Sequence, residues 1–497
     1  YSDGDRVVTV TLKHWLWSDG TPITSRDVTF WINLLKANKV NYYNYVPGDF
    51  PDDLASVATR GDDTVVLRLK KPVTPLWFTD NELPQIVPLP QHAWDRTSAT
   101  GPVGNYDETS SGALAVWKFL NAESSKTSTY GTSSLWKVVS GPYEIDSLTP
   151  QGRAVFSANA SYSGTKPRIA TLIWLPYTSE EAEFDAVLAG QVDYGYVPLD
   201  DAPTIVRVTA AGYRIAAWPA WSINYMELNF NNPVTGPLVH QLYLRQALEH
   251  LIDQTGYVTA FLHGYGYPTY GPVPVQPANP FATSAERTNP YPYDPSAAAK
   301  LLAAHGWSKG SSGVLSCTRP GTGSSDCGAG IKAGSLLSFN LMYTSGSTVF
   351  QDEATTFQQA ASGIGVRIDL SSAPFGTVID HSLPCTPKQS DCSGQIQYWG
   401  QGWVFEPDYY PSGENFFAGG AALNSSNYDD PMANTLIEQS ITGGGLGGYE
   451  SYISKQVPVL WMPVSDSQIS AIKTSLLGVG AQNPILTTTP ETWYFGS

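Results

Sequence analysis

Two kinds of hydrophobic spacing follow each other along the chain and predict strands and helices in turn. Segments 7–13 (VVTVTLK) and 63–69 (DTVVLRL) place apolar residues at alternate positions, which is typical of a strand. Between them, segment 28–35 repeats apolar residues at helical spacing. Thr24 and Asp27 form a Thr-x-x-Asp capping box just ahead of that helix. The chain therefore opens with a strand, a turn and an amphipathic helix.

The same succession continues to the end of the chain. A short apolar helix interrupts the Ser/Gly/Thr-rich stretch 101–140. The patterns then predict a hairpin at 141–158, a buried strand at 171–176, a helix and strand at 180–197, a strand at 222–230, a long helix at 237–254, a helix at 293–307, a strand at 335–343, a helix at 350–362 and a strand at 366–370. Alternating strands and helices indicate an α/β protein.

Length and charge narrow the class of protein further. A chain of 497 residues is too long for one compact core and suggests two or three domains. Hydrophobic residues make up 42% and charged residues 14%, which is typical of a globular chain. The net charge of −16 argues against nucleic acid or an anionic membrane as a partner. No run of 18 apolar residues is present, so we expect no membrane-spanning segment.

The four cysteines bracket two short polar loops. Cys317 and Cys327 enclose one loop, and Cys385 and Cys392 enclose the other. Zinc would favour closer spacing and nearby histidines, which are absent. We therefore favour two local disulfides over four free thiols. Disulfides would place the chain in an oxidising, extracytoplasmic compartment.

Signatures of catalysis and metal binding are missing. The sequence contains no G-x-S-x-G, H-E-x-x-H, C-x-x-C or P-loop motif, and no G-x-G-x-x-G follows a strand. The seven histidines are scattered along the chain. We therefore expect no enzyme activity, no metal site and no cofactor.

One aromatic segment, 398–417 (YWGQGWVFEPDYYPSGENFF), is the strongest candidate for a binding site. Its Pro and Gly residues exclude a continuous helix or a central strand, so its aromatic side chains are expected on loops that line a ligand. Glu406 and Asp408 could form the carboxylate pair of a glycosidase, but residues two apart in one loop seldom flank a scissile bond. A carboxylate beside Trp and Tyr more simply contacts a ligand ammonium or hydroxyl group.

Seven stretches together resemble the family 5 extracellular solute-binding proteins, the oligopeptide- and dipeptide-binding components of ABC importers. They are LKHWLWSDGTPITSRDVTFWINLL, SGPYEIDS, FDAVLAGQVDY, YMELNFNNP, VHQLYLRQALEHLIDQ, YDPSAAAKLLAAHGW and GWVFEPDYYPSGENFF, and they occur in the family's order. The resemblance covers nearly the whole chain. It implies a two-lobed type II periplasmic-binding fold with an extra small domain on lobe I.

The resemblance also implies domain boundaries. Residues 1–140 would form the extra domain, and family members carry further residues before the WSDGTP motif, so the N-terminal part of that domain is expected to be absent here. Residues 141–232 with 466–497 would form lobe I, and residues 233–465 would form lobe II. The hinges would lie near 230–234 and 464–468.

The family's peptide binders hold the ligand's α-ammonium with an aspartate three residues after a Gly-Trp pair. Here Gly402 and Trp403 match that pair, and Glu406 stands at the third position, with Asp408 as an alternative. The backbone from Gly402 to Val404 would pair with an extended peptide. The neighbouring Trp399 belongs to the same aromatic segment. Tyr225 and Glu227 match cleft positions, and strand alternation puts both on one face.

The expected function is capture of a solute, with a peptide favoured, by hinge closure and its delivery to the permease subunits of an ABC importer. An oligosaccharide is the first alternative, because pyranose faces pack on indole rings. A hydrolase is the second, and a sensor or chaperone of the same fold is a third. Nickel is disfavoured because no histidine lies near the cleft motifs. We expect a monomer in the periplasm or lipid-anchored at the outer face of the cell membrane.

Overall fold

The computed structural model describes residues 1–219, 221–390, 392–400, 402–405, 409–464, 467–480 and 488–496. The strands are β1 (Val7–Thr11), β2 (Leu54–Arg60), β3 (Thr64–Leu69), β4 (Tyr143–Leu148), β5 (Ala154–Ala158), β6 (Thr171–Trp174), β7 (Tyr194–Val197), β8 (Tyr213–Pro219), β9 (Ser222–Leu228), β10 (Trp307–Lys309), β11 (Leu315–Cys317), β12 (Ser338–Thr344), β13 (Arg367–Ala373), β14 (Ile396–Tyr398), β15 (Trp403–Val404), β16 (Val459–Met462), β17 (Ser467–Lys473), β18 (Leu476–Leu477) and β19 (Tyr494–Phe495).

The α-helices are α1 (Ser25–Asn38), α2 (Pro75–Trp77), α3 (Gln91–Trp94), α4 (Ser110–Ser124), α5 (Glu180–Leu188), α6 (Ile205–Ala210), α7 (Gly236–Val239), α8 (Leu242–Glu249), α9 (Gln254–Ala260), α10 (Pro295–Ala304), α11 (Thr348–Ile364), α12 (Phe375–Asp380), α13 (Glu414–Phe417), α14 (Pro431–Ile441) and α15 (Gly447–Gln456). The predicted α/β class is confirmed. Within the described ranges, no helix combines the length and the apolar character needed to cross a bilayer.

The first 140 residues are organised around the antiparallel sheet β1-β3-β2. The predicted capping box is confirmed, because the backbone N–H of Thr24 donates to Asp27 Oδ2 at 2.8 Å while the Thr24 side chain accepts from the first turn of α1. Helix α1 packs on α4 through Phe30, Leu34 and Val116. This unit also contacts the later chain, since Thr74 N donates to the carbonyl of Ile441 at 2.9 Å.

Strands β4 and β5 form the predicted hairpin, and β6 pairs with β5. The prediction that segment 171–176 is a buried strand is wrong. Strand β6 is an edge strand, and its Ile173 and Trp174 side chains are 46% and 60% exposed. A short apolar run shows that a strand is favoured, but it does not show whether another layer covers that strand.

The predicted long helix at 237–254 is also wrong, because the structure divides this segment into α7, α8 and α9. Gln241 adopts an extended conformation between the first two helices. The guanidinium of Arg245 donates to the carbonyl of Val239 at 2.6 Å and satisfies the end of α7. Asp253 then caps α9 by accepting a hydrogen bond from Gly256 N. These tertiary and capping contacts replace continuous helical hydrogen bonding.

A six-stranded sheet of order β13-β12-β14-β9-β15, with β16 also paired to β9, forms the largest layer. Strand β9 is buried along its whole length. Strands β14 and β15 pair with different parts of β9, opposite residues 227–228 and 222–223 respectively. Helix α11 joins the parallel pair β12 and β13. This sheet lies in the main hydrophobic core, which it shares with the first 85 residues.

A second sheet of order β7-β17-β8 has its own small core. The antiparallel pair β8 and β17 leads directly into the pair β9 and β16 of the larger sheet. The chain therefore passes between the two sheets at 219–222 and at 462–467. The second passage overlaps the predicted hinge at 464–468. The first lies before the predicted hinge at 230–234, because β9 belongs to the six-stranded sheet.

Both predicted disulfides are confirmed. The Sγ atoms are 2.02 Å apart in Cys317–Cys327 and 2.06 Å apart in Cys385–Cys392. The second bridge is held close to the end of β9. Asn231 Nδ2 donates to the carbonyl of Cys385 at 2.7 Å.

Candidate functional site

Two glycines shape the backbone between β14 and β15. Gly400 has φ +90°, and a Cβ atom there would lie 2.2 Å from the ring of Phe350. Gly402 has φ +53°, and a Cβ atom would lie 1.9 Å from the carbonyl oxygen of Ile223. Side-chain-bearing residues rarely adopt such φ values, and no Cβ fits at these distances. The Gly-Trp motif therefore fixes how β15 approaches β9.

Strand β15 leaves the backbone of Val404 turned away from the sheet. Phe405 N donates to the carbonyl of Trp221 at 3.0 Å, and the ladder pairs Trp403 with Ile223 and Val404 with Ser222. In an antiparallel pair, hydrogen-bonded and non-hydrogen-bonded positions alternate. Val404 is thus the non-hydrogen-bonded position, and its N–H and C=O face the outer edge. Within the described ranges, these two groups have no hydrogen-bond partner.

Aromatic rings line both sides of this short strand. The Trp403 side chain is half-buried and packs edge-on against Phe416, with ring centroids 4.9 Å apart. Trp399 is buried, lies edge-on against Tyr225 at 5.3 Å, and donates from Nε1 to the carbonyl of Gly402 at 3.2 Å. Trp399 therefore supports the turn into β15, whereas Trp403 is the more accessible of the two indoles.

The two predicted cleft residues on β9 are both covered in this structure. Tyr225 is 5% exposed and Glu227 is 1% exposed. Burial raises the pKa of Glu227 to about 8, and Ser425 and Ser382 partly oppose this rise. Burial, reinforced by the Glu227 carboxyl group, also raises the pKa of Tyr225. The structure places Tyr225 beside Trp399 and thus next to β15, but it gives Glu227 no open face.

The predicted carboxylates Glu406 and Asp408 lie outside the described residues. Most of the surrounding aromatic segment is buried. Its buried side chains are Tyr398, Trp399, Phe405, Tyr410, Phe416 and Phe417. The expectation that these aromatic residues lie on loops is wrong for Tyr398 in β14 and Trp403 in β15, and also for Phe416 and Phe417 in α13. Trp403, which was expected to contact a ligand, is half-buried and lies on β15, next to the outward-facing backbone of Val404.

A carboxylate that the sequence did not single out as a site residue anchors the segment behind β15. Glu414 is 4% exposed, and its carboxylate accepts hydrogen bonds from Trp77 Nε1 at 2.9 Å and Asn81 Nδ2 at 2.6 Å. The Ser412 hydroxyl also donates to it. Asn81 Nδ2 donates in addition to the carbonyl of Tyr410. The N-terminal unit thus fixes the chain that follows residues 406–408.

Further buried carboxyl groups surround this anchor. Burial, together with the neighbouring carboxylates, raises the pKa values of Asp49 and Glu82 well above their usual range, and burial raises that of Asp53 to about 6. These side chains lie in the N-terminal unit. Within the described part of the chain, no three His, Cys, Asp or Glu side chains are grouped closely enough to hold a metal ion.

Known proteins of similar sequence include bacterial binding proteins. The chain is 26% identical to protein XP55 of Streptomyces lividans over 440 residues, which cover 88% of this chain and 68% of that protein. It is 27% identical over 301 residues to a Brucella ovis protein named as an ABC transporter peptide-binding protein, covering 61% of this chain. The match spans about half the length of the Brucella relative, 49%.

Solved structures show the same architecture. The oligopeptide-binding protein AppA of Bacillus subtilis, in complex with a nonapeptide, has a TM-score of 0.77 at 20% identity, covering 100% of this chain and 88% of AppA. The oligopeptide-binding protein of Thermus thermophilus with a pentapeptide has a TM-score of 0.73 at 16% identity, covering 99% and 84%. NikZ of Campylobacter jejuni with Ni(L-His) has a TM-score of 0.72 at 18% identity, covering 99% and 88%.

These likenesses confirm the predicted two-lobed type II fold. The family model described as "Bacterial extracellular solute-binding proteins, family 5 Middle" matches residues 1–420. This range contains the two paired strands of the candidate site, β9 and β15. The chain therefore belongs to the family 5 bacterial extracellular solute-binding proteins.

Proposed function

We propose that this chain captures a peptide between its two lobes and delivers it to the permease subunits of an ABC importer. The observation that carries the proposal is the outward-facing backbone of Val404 on the edge strand β15. An extended peptide can add to such an edge through main-chain hydrogen bonds, whatever its side chains are. The names of the Brucella relative and of the AppA complex support a peptide as the ligand.

The side chains near this edge have distinct proposed roles. Trp403 packs against the added ligand, while Gly402 and Trp399 hold β15 in place. Glu406, or alternatively Asp408, is the charge partner of the ligand's α-ammonium group. Glu414 supports this role indirectly, because its hydrogen bonds with Trp77 and Asn81 anchor the chain just beyond both carboxylates.

The proposed lobes follow the two sheets. Lobe I contains the sheet β7-β17-β8, and lobe II contains the six-stranded sheet. The N-terminal unit 1–140, expected as an extra domain on lobe I, shares the main hydrophobic core of the six-stranded sheet, so we assign it to move with lobe II. Ligand-driven closure would then turn one lobe against the other at 219–222 and 462–467. We therefore place the first hinge at 219–222 instead of at 230–234, where the sequence led us to expect it.

The protein is proposed to act as a monomeric binding protein without catalysis or cofactor and with no nucleic-acid partner. The two disulfides support an extracytoplasmic location, in a periplasm or attached by a lipid at the outer face of the membrane. The net charge of −16 supports the absence of a nucleic-acid partner.

Mass spectrometry of the ligand released from purified, denatured protein tests the class of ligand. A ladder of peptide masses is the expected result. A series of masses spaced by one hexose unit would show that the ligand is an oligosaccharide and not a peptide. Turnover of hydrolase substrates by the wild type that is lost in Glu406→Gln would show that the protein is an enzyme and would contradict the proposal.

The contribution of the Val404 backbone can be tested with a matched pair of variants. Val404→Pro removes the outward N–H without touching the hydrogen bonds to β9, and proline is tolerated at such edge positions. Val404→Ala keeps the N–H and serves as the control. With the peptides recovered from the protein, calorimetry should show a loss of roughly tenfold or more in Val404→Pro and little change in Val404→Ala. Equal affinities of the two variants would contradict strand addition at β15.

A further inference from the structure

A second cavity lies in the N-terminal unit and shares no residue with the candidate peptide site. It has a volume of about 220 Å³ and is lined by Trp31, Trp94, Trp117 and Trp136 together with leucine side chains. We call it the tryptophan cavity. Helices α1, α3 and α4 supply three of the four indoles, and Trp136 supplies the fourth.

The indole rings are held in fixed orientations. Trp31 Nε1 donates to the carbonyl of Gln85 at 2.8 Å, and Trp94 Nε1 donates to the carbonyl of Leu135 at 2.6 Å. Trp31 and Trp117 are nearly parallel, with centroids 5.9 Å apart. The N–H groups of Trp31 and Trp94 are already used by the backbone, whereas that of Trp136 is buried without a partner among the described residues, so the walls offer mainly ring surface. The cavity is therefore preorganised for apolar, flat ligands.

The polar groups at the cavity are few. Asn121 and Ser124 lie in the last turns of α4, and the Ser124 hydroxyl already donates to the carbonyl of Asn121 at 2.9 Å. The Asn121 amide makes no side-chain hydrogen bond within the described ranges, so it offers one donor and one acceptor group. A pyranose would leave several hydroxyl groups without partners in these walls, which is unfavourable. One polar group on an aromatic ring would be satisfied.

We propose that the tryptophan cavity binds a small bicyclic aromatic molecule of the indole class, with a single N–H or hydroxyl group directed to Asn121. The volume supports this size, since a cavity of about 150 Å³ lined by apolar side chains holds benzene. The ring packs on the indoles of the cavity, and its polar group hydrogen-bonds with the Asn121 amide. This second ligand is independent of the peptide bound at β15.

Isothermal calorimetry of the full chain with indole tests the proposal. The expected result is saturable binding with a dissociation constant on the order of 1 mM or below. Ser124→Phe should abolish binding by filling the cavity while all four tryptophans stay in place. Trp117→Ala should also abolish it by removing a wall. Trp174→Ala, on the exposed edge of β6, is the control and should bind indole as the wild type does.

Two further measurements separate this site from the peptide site and test the polar contact. Indole should bind wild-type protein roughly threefold to tenfold more tightly than 1-methylindole, and Asn121→Ala should remove that difference. Trp403→Ala should leave indole binding unchanged. Absence of saturation, unchanged binding in Ser124→Phe, or loss of indole binding in Trp403→Ala would each overturn the proposal.

Discussion

Strands β6 and β15 are both edge strands that carry a tryptophan, yet they are built very differently. Trp174 on β6 is 60% exposed and stands on the outside of a small hairpin sheet. Trp403 on β15 is half-buried, and its strand is set against the fully buried β9 by two glycines. An exposed aromatic edge alone is common on protein surfaces. A defined approach of its backbone to β9 therefore distinguishes the candidate binding edge β15 from β6.

The largest expected effect comes from removing that defined approach. Gly402→Ala would place a Cβ atom 1.9 Å from the carbonyl of Ile223 at a φ of +53°. We expect it to lower the free energy of unfolding by about 3 kcal/mol or more and to abolish peptide binding, because β15 must leave β9. Urea unfolding and calorimetry measure both effects.

The control for this change is Gly376→Ala in α12, where a Cβ atom meets nothing within 4 Å. It should leave the free energy of unfolding and the affinity nearly unchanged. If Gly402→Ala behaved like this control, the distinction between the two edges would fail.

A pH-dependent effect should come from Glu227, in the part of β9 that pairs with β14 and β16. The folded state raises the pKa of Glu227 to about 8, above the usual value of 4.5. The stabilisation from its bound proton is fully present below pH 4.5 and is lost as the pH rises to about 8. Glu227 should therefore make the unfolding free energy fall by roughly 2–4 kcal/mol between about pH 5 and pH 8. Urea unfolding across this range measures the slope.

Glu227→Gln provides the matched control for that slope, because the amide cannot titrate. It should flatten the pH profile relative to the wild type. Glu353, whose pKa burial also raises to about 8, keeps contributing in this variant. A wild-type profile that does not fall toward pH 8 would show that Glu227 is charged and solvated.

The smallest expected effect compares the two tryptophans directly. Trp403→Ala should weaken peptide binding by about 1–3 kcal/mol, since a central aromatic contact is lost. Trp174→Ala should leave the affinity unchanged. Calorimetry with the same peptide measures both, and equal losses would mean that β15 is no more a binding edge than β6.

Local sequence signals predicted the fold well where the relevant contacts are local. The capping box of Thr24 and Asp27 is confirmed, and the helix predicted at 293–307 is present as α10. The break in 237–254 could not be seen, because it depends in part on Arg245 reaching the carbonyl of Val239. The exposure of β6 likewise depends on which layers pack against it.

The candidate site could be predicted only in part. The Gly-Trp pair and its expected place near a ligand came from the resemblance to the family, and both this place and the roles of Glu406 and Asp408 remain predictions. The role of Glu414 was not visible, because its partners Trp77 and Asn81 lie more than 300 residues earlier in the chain. Hydrogen bonds over such separations follow from the fold and leave no spacing pattern.

The two passages between the sheets lie side by side, because β8 pairs with β17 on one side and β9 with β16 on the other. Asn224 Nδ2 donates to the carbonyl of Pro463 at 3.0 Å and ties the two strands together at this point. In the proposed closure, this two-stranded ribbon is the connection between the sheet β7-β17-β8 and the six-stranded sheet that would bend. In that closure, a small change in the angle of the ribbon displaces atoms in proportion to their distance from it. The parts of the lobes farthest from the ribbon would therefore move most, and the residues of the ribbon would move least.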